Sequence, residues 1–187
     1  MNKLKKTLGQ NFLKSKKIVQ EIVAAGEVGP EDIILEVGPG KGILTEVLLQ
    51  KAKKVIAVEK DEKLAEFLKE KFATEINNGK LKIIFGDILQ SQISNLKSKK
   101  FKYKIIANIP YYITSRFLRT FLESDFQPSM MVLMVQKEVA ERIVGIKESL
   151  LSISVKSYGR PEIIRKVPAG YFSPAPKVDS AVIKISG

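Results

Sequence analysis

The chain has 187 residues, 44% of them hydrophobic and 28% charged, which fits one globular domain and excludes a disordered or fibrous chain. It contains no cysteine and no histidine, which excludes disulfides, thiolate nucleophiles, Ser-His-Asp triads and the usual zinc and iron–sulfur sites. The 32 Lys and Arg residues outnumber the 20 Asp and Glu residues, giving a net charge of +12. This excess favours a polyanionic partner such as nucleic acid.

The positive charge is concentrated in two stretches. Residues 1–17 contain six lysines and no acid, and no acidic residue occurs between Asp87 and Glu123. Within the second stretch, five residues are predicted to contact RNA: Lys97, Lys99, Lys100, Lys102 and Lys104. The alternative is a solvated face without a ligand. Because the sequence shows neither a long apolar run nor an apolar signal core after its first lysines, we expect a cytoplasmic protein without a membrane partner.

Apolar runs alternate with segments of helical periodicity along most of the chain. The first 30 residues are predicted to form a helical segment that precedes the sheet. Strands are predicted at 33–37, 55–59, 81–85, 103–107 and 130–135, then at 151–156, 163–167 and 178–185. Helices are predicted at 43–50, 62–72, 115–122 and 136–144. The alternation predicts an α/β domain with a mostly parallel sheet, right-handed crossovers and helices on both faces, ending in an antiparallel hairpin.

The first predicted strand ends in a glycine-rich turn, EVGPGKG, from Glu36 to Gly42. A dinucleotide-binding fingerprint needs glycine where Ile43 stands, and a P-loop needs serine or threonine where Gly42 stands. The pattern E-x-G-x-G-x-G instead resembles the first motif of methyltransferases that use S-adenosylmethionine (SAM). We therefore predict that Gly38 and Gly40 let the backbone approach SAM. The alternative is merely a tight turn.

Acidic residues follow the next two predicted strands. Glu59 is placed to accept hydrogen bonds from both ribose hydroxyls of a nucleoside. Asp87 is placed to accept from an adenine amine, and the backbone of Ile88 to donate to the adenine ring. Either acid alone would more often be a surface turn residue. Their recurrence at consecutive strand ends favours a cofactor site.

The segment Asn108-Ile109-Pro110-Tyr111 follows the fourth predicted strand. An exocyclic purine amine is a poor nucleophile because its lone pair is delocalised into the ring. The side-chain oxygen of Asn108 and the carbonyl of Ile109 can hold both amine hydrogens and direct the lone pair at a methyl group. Pro110 keeps Ile109 extended, and Tyr111 can stack on an extruded base. The alternative is a strand-end turn with a core tyrosine.

A second rigid aromatic loop, FSPAPKVDS, spans residues 172–180. We predict that Phe172 faces Tyr111 and forms a second apolar wall against the base. The alternative is a packed loop without this role.

Several segments together resemble the KsgA-type small-subunit ribosomal RNA adenine dimethyltransferases. They are GQNFL (9–13), EVGPGKG (36–42), NIPYYITS (108–115), QKEVAER (136–142) and FSPAPKVDS (172–180). The resemblance implies a Rossmann-like class I SAM-dependent methyltransferase fold with a seven-stranded sheet, as one catalytic domain over residues 1–187. The SAM contacts that it implies are Asn11, Leu13, Gly38, Glu59, Asp87 and Asn108. It places the target adenine at Asn108–Tyr111 and Phe172.

The resemblance also implies a function. SAM would supply two methyl groups to the N6 amine of each of two adjacent adenosines near the 3′ end of small-subunit (16S) rRNA, in ribosome biogenesis. We expect a monomer without a metal, and we expect the helical carboxyl-terminal domain usual in this family to be absent. One alternative is an Erm-type methyltransferase of large-subunit rRNA, against which Tyr112 and 178–180 argue. Another is a non-catalytic RNA-binding or assembly factor, against which Glu59, Asp87 and Asn108 argue.

Overall fold

The structure is a computed structural model that describes residues 11–90 and 102–187. Its strands are β1 Phe12–Leu13, β2 Ile33–Val37, β3 Lys54–Glu59, β4 Leu81–Phe85, β5 Tyr103–Asn108, β6 Met130–Gln136, β7 Arg160–Val167, β8 Phe172–Ser173 and β9 Ser180–Ser186. Its helices are α1 Lys16–Ala25, α2 Ile43–Lys51, α3 Glu62–Lys71, α4 Ala73–Asn77, α5 Thr114–Leu122, α6 Lys137–Val144 and α7 Leu150–Tyr158. No helix in these two ranges is long and apolar enough to cross a membrane.

Seven of these strands form one sheet in the order β4-β3-β2-β5-β6-β9-β7. Neighbouring strands from β4 to β6 are parallel, and β9 runs antiparallel between β6 and β7. The predicted α/β class, the mostly parallel seven-stranded sheet and its antiparallel end are therefore confirmed.

Helices cover both faces of the sheet, as predicted. Leu35 and Ile105 point into an apolar layer that contains Phe117 of α5 and residues of α6 and α7. The alternate strand residues, such as Ile34 and Ile106, point into a second layer with residues of α1, α2 and α3. Burial on both faces explains why β2, β3 and β5 are continuous apolar runs rather than alternating patterns.

Two predicted elements differ from the structure. Residues 151–156 belong to helix α7, not to a strand, because Ser149 and Ser152 form a reciprocal capping box that starts a helix. The segment 1–30 is helical only in part among the described residues, since β1 precedes α1. Residues 1–10 lie outside the described part of the chain.

The topology brings the functional segments to one edge of the sheet. The strands β2 to β5 are parallel, so the four segments that follow them emerge at the same edge. Ligands of open α/β sheets bind at this carboxyl-terminal edge.

Candidate active site

A cleft lies at the carboxyl ends of β2, β3, β4 and β5. All predicted cofactor residues line it: Asn11, Leu13, Gly38, Gly40, Glu59, Asp87, Ile88 and Asn108. The predicted substrate residues Ile109, Pro110 and Tyr111 line it as well. The structure thus brings together residues that are far apart in the sequence.

The glycine-rich turn forms the floor of this cleft and needs glycine for two reasons. Gly38 and Gly40 have φ values of +67° and +59°, in the left-handed region. In addition, a Cβ atom at Gly40 would lie 2.9 Å from the ring of Phe12. That ring is also 5.3 Å from the ammonium group of Lys41, a cation–π distance. The segment that contains Phe12 therefore packs directly on the turn.

The segment from Asn11 to Leu13 is held at the cleft by a distant part of the chain. Strand β1 pairs antiparallel with β8, with Leu13 opposite Phe172. The amide of Lys14 also donates to the carbonyl of Tyr171 at 2.9 Å. One wall of the cleft thus depends on residues 171–173.

Glu59 lies at the end of β3 and is only 6% exposed. Its Oε2 accepts from the amide of Gly40 at 3.1 Å, and its Oε1 accepts from the amide of Asp61 at 2.9 Å. Burial raises the pKa of the Glu59 carboxyl, although these hydrogen bonds oppose the effect. The two backbone donors fix the carboxylate, and each oxygen retains a lone pair for a ligand hydroxyl.

Glu36 is a site residue to which the sequence analysis gave no role. It lines the cleft, is 1% exposed and accepts from Thr45 Oγ1 at 2.7 Å through Oε2. Its Oε1 is buried without a hydrogen-bond partner among the described residues. Burial raises the pKa of Glu36 to about 8. A carboxyl group inside an apolar strand, at the first position of the glycine motif, was the signal that could have identified it.

Asp87 follows β4, and both of its carboxylate oxygens accept hydrogen bonds. Its Oδ1 accepts from the amide of Leu89 at 3.0 Å, and its Oδ2 pairs with the ammonium group of Lys60 at 2.9 Å. This ion pair with Lys60 lowers the pKa of the Asp87 carboxyl. Lys60 also lines the cleft, and sequence reasoning did not identify it.

Asn108 ends β5 with its side-chain amide in the cleft. Nδ2 donates to the carbonyl of Asn11 at 3.4 Å, a long hydrogen bond that leaves Oδ1 as an acceptor. Pro110 has φ −58° and ψ 132°, and the side chain of Ile109 is buried at 1% exposure. The backbone after β5 is therefore fixed by a proline and by an apolar anchor.

Two adjacent tyrosines differ in their surroundings. The hydroxyl of Tyr111 lies 2.6 Å from the hydroxyl oxygen of the fully buried Ser180, and burial raises the Tyr111 pKa. Tyr112 also lines the cleft, but its side chain is 61% exposed. Tyr111 is therefore held rigidly, whereas Tyr112 faces solvent at the mouth of the cleft.

Phe172, which was predicted to form a second wall of the cleft, is buried in this structure, and its contact with the base stays a prediction. Phe172 is 2% exposed and packs in the apolar layer that contains Leu13 and Ile22, and it does not line the cleft. Phe172 belongs to β8, which pairs with β1. An apolar layer is a favourable environment for its phenyl ring, because burial removes apolar surface from water.

Lys104, which was predicted to contact RNA, has partners within the protein instead, and its contact with RNA stays a prediction. The Lys104 ammonium group donates to the carbonyls of Gly26 and Glu27 at 3.1 and 2.8 Å, and to Asp32 Oδ2 at 2.8 Å. It lies near the amino end of β5, away from Asn108. Lys102 is exposed and its role stays a prediction. Residues Lys97, Lys99 and Lys100 lie outside the described residues.

The polar groups that line the cleft fit SAM. The carboxylates of Glu59 and Asp87 can accept hydrogen bonds from hydroxyl and amine groups, and the glycine turn lets the backbone approach a ligand closely. The partnerless Oε1 of Glu36 is a buried polar atom that a ligand group can satisfy.

Comparisons with known proteins agree on one family. The family described as "Ribosomal RNA adenine dimethylase" matches residues 1–187. Proteins named "Ribosomal RNA small subunit methyltransferase A" are 47% identical over 98% of this chain in Dehalococcoides mccartyi, and 42% identical over 96% in Alkaliphilus metalliredigens. The chain spans 62% and 64% of the lengths of these two relatives.

Solved structures show the same relationship. A dimethyladenosine transferase from Plasmodium falciparum has a TM-score of 0.82 and 32% identity, covering 94% of this chain and 62% of that one. The 23S rRNA methyltransferase ErmE also has a TM-score of 0.82, with 29% identity, covering 94% of this chain and 69% of its own. The expected class I methyltransferase fold is confirmed, and the chain belongs to the ribosomal RNA adenine dimethylase family.

Proposed function

We propose that this protein binds SAM in the cleft and dimethylates the N6 amines of two adjacent adenosines near the 3′ end of small-subunit rRNA. The observation that carries the proposal is the convergence of Glu59, Asp87 and Asn108 on one cleft at the ends of β3, β4 and β5. Its partner is an immature small ribosomal subunit in the cytoplasm, on which it acts as a monomer without a metal.

Cofactor recognition uses groups that the fold already holds in place. Glu59 accepts the ribose hydroxyls, and Asp87 accepts the adenine amine next to the backbone of Ile88. The turn at Gly38 and Gly40 admits the methionine part. Bound SAM supplies an electrophilic methyl group on its sulfonium. Each recognising carboxylate is oriented by a backbone amide, so little ordering is needed when the ligand arrives.

Methyl transfer uses the acceptors that follow β5. Asn108 Oδ1 and the Ile109 carbonyl accept the two amine hydrogens and turn the nitrogen lone pair toward the methyl group. SAM held by Glu59, Asp87 and the glycine-rich turn would supply the methyl group from its sulfonium, and the methylated amine would then lose its proton to solvent. Because the proton leaves after attack, this chemistry needs neither histidine nor cysteine, which the chain lacks.

Substrate placement uses the tyrosine after Pro110. Tyr111 is fixed through its hydroxyl by Ser180, so its ring offers a preorganised stacking surface for an extruded adenine. The net charge of +12 favours a phosphate-rich partner.

Large-subunit rRNA is a second candidate substrate, because the ErmE structure matches this fold with the same TM-score as the dimethyladenosine transferase. Tritiated SAM should be incubated with the protein and either undermethylated small subunits or protein-free large-subunit rRNA. We expect labelling of the small subunit alone. Labelling of large-subunit rRNA alone would support the second candidate, and labelling of neither would contradict both.

The variant Asn108→Ala tests the mechanism in the same assay. Loss of one of two oriented acceptors should slow single-turnover methyl transfer by about 100-fold or more. Asn77→Ala is a matched control, since Asn77 is exposed at the end of α4, and it should keep the full rate. A near-normal rate in Asn108→Ala would mean that the amine is held by other groups.

A further inference from the structure

Lys60 occupies an unusual place beside the cofactor groups. It follows Glu59 at the end of β3, and the register of β3 with β4 places Glu59 opposite Phe85, two residues before Asp87. The Lys60 ammonium group lies 2.9 Å from Asp87 Oδ2, with side chains 50% and 21% exposed. Both residues line the cleft. The carboxylate that the proposed function assigns to the adenine amine therefore already pairs with a cation.

A bound adenine amine then adds a donor to a carboxylate that is already in use. Oδ1 of Asp87 accepts from the amide of Leu89 at 3.0 Å and Oδ2 accepts from the Lys60 ammonium group at 2.9 Å, so the adenine amine must share an oxygen atom with one of these donors. A half-exposed ion pair is weak, because water compensates the cation when the pair breaks. The adenine amine is held in place by the rest of the bound cofactor, so Lys60 is the donor that leaves Asp87.

Lys60 is half-exposed where it lines the cleft, so a released ammonium group would be accessible to a ligand that enters there. Tyr112 lies on the wall that follows β5, is 61% exposed and is near enough to Lys60 to raise the pKa of that lysine. Arg116, exposed in the first turn of α5, is near enough to Asp87 to lower its pKa. An adenosine that reaches Asn108 passes this wall, and its phosphates need cations there.

We propose that Lys60 is an RNA-phosphate ligand that Asp87 holds back until the adenine of SAM displaces it, so that cofactor binding strengthens RNA binding. The inference rests on the proposed function and adds a coupling between its two ligands. By thermodynamic linkage, RNA must strengthen cofactor binding by the same factor.

The test uses S-adenosylhomocysteine, the non-reactive product, and a fluorescein-labelled single-stranded RNA with two adjacent adenosines. Anisotropy titrations over a range of salt concentrations give the RNA affinity and its log–log salt slope, with and without S-adenosylhomocysteine. In the wild-type protein, the ligand should steepen the slope by about 0.7, the value for one extra single-strand phosphate contact. It should also tighten RNA binding up to about fivefold, the upper range for exposed ion pairs.

Variants assign this effect to one side chain. Lys60→Met should show the same slope with and without S-adenosylhomocysteine, whereas Lys60→Arg should keep the difference. Lys63→Met is the matched control, because Lys63 is an exposed lysine at the start of α3. It should keep the ligand-dependent difference whatever its own slope.

The outcomes separate the inference from the proposed function. Wild-type slopes that do not change with S-adenosylhomocysteine overturn the coupling, and a change that persists in Lys60→Met overturns the assignment to Lys60. Absence of calorimetric binding of S-adenosylhomocysteine, or of methyl transfer in the tritium assay, contradicts the proposed function itself.

Discussion

Replacing Lys104 by methionine distinguishes a structural cation from an RNA-binding one. Methionine keeps most of the buried aliphatic stem but removes the ammonium group. Two backbone carbonyls and the carboxylate of Asp32 then lose their donor, at 3.1, 2.8 and 2.8 Å in the structure. These groups join β5 to the segment between α1 and β2, so their loss should weaken the fold rather than RNA binding.

The size of the effect follows from burial. Removing one partner of a buried ion pair costs about 3–5 kcal/mol. Here the side chains of Lys104 and Asp32 retain 15% and 26% exposure, so water can partly rehydrate the abandoned carboxylate. We therefore expect Lys104→Met to lower the free energy of unfolding by about 2–3 kcal/mol.

Urea unfolding followed by far-ultraviolet circular dichroism measures this loss, with Lys102→Met as the control. Lys102 is exposed, so its replacement should change stability by less than about 0.5 kcal/mol. The salt slope for RNA should be unaltered in folded Lys104→Met. A stability loss below about 0.5 kcal/mol, together with a salt slope flatter by about 0.7, would refute the structural role of Lys104.

Three further predictions concern the cleft. Glu59→Gln should weaken SAM binding in calorimetry by about 1.5–3 kcal/mol, because a charged acceptor is lost; unchanged affinity would exclude Glu59 as the ribose acceptor. Glu36→Gln should gain stability relative to the wild type as the pH rises from 5 to 8, because the unfolded carboxyl ionises near 4.5 while the folded one keeps its proton to about 8. Urea unfolding of both proteins at each pH, without cofactor, measures this gain, which is at most about 1.4 kcal/mol per pH unit. If the unfolding free energies of variant and wild type changed in parallel with pH, Glu36 would not be a neutral acid in the folded protein. Gly40→Ala should lower stability by about 1–2 kcal/mol, since alanine must adopt φ +59° against the ring of Phe12; a wild-type melting temperature would show that the turn relaxes without cost.

Most of the fold could be predicted from local patterns, because parallel strands buried on both faces produce long apolar runs. Segment 151–156 was predicted as a strand because its β-branched and apolar residues suit either a strand or a helix. The deciding signal was the capping box at Ser149 and Ser152, two serines that look like ordinary loop residues. Where the residue propensities suit both a helix and a strand, the capping residues that start a helix decide between the two.

The candidate site was predictable where a residue's role depends on its own strand end. Glu59, Asp87 and Asn108 meet because parallel strands end at one edge. The intramolecular partners of Lys104 and the burial of Phe172 were not predicted, because their surroundings come from distant segments. The acceptors around Lys104 lie between α1 and β2, and Phe172 is buried where β8 meets β1.

The β1–β8 pairing has a consequence for protein synthesis. A ribosome delivers the chain from its amino end, so Asn11, Leu13 and the four parallel strands that bear the acceptors all emerge early. The partner of β1, Phe172–Ser173, emerges much later. Until then the nascent chain contains the recognition groups, but the wall of the cleft formed by β1 is not yet held in place. Any stabilisation by bound ligand therefore reaches only a chain that has been synthesised past Ser173, and the cofactor stabilises an assembled cleft rather than nucleating the fold.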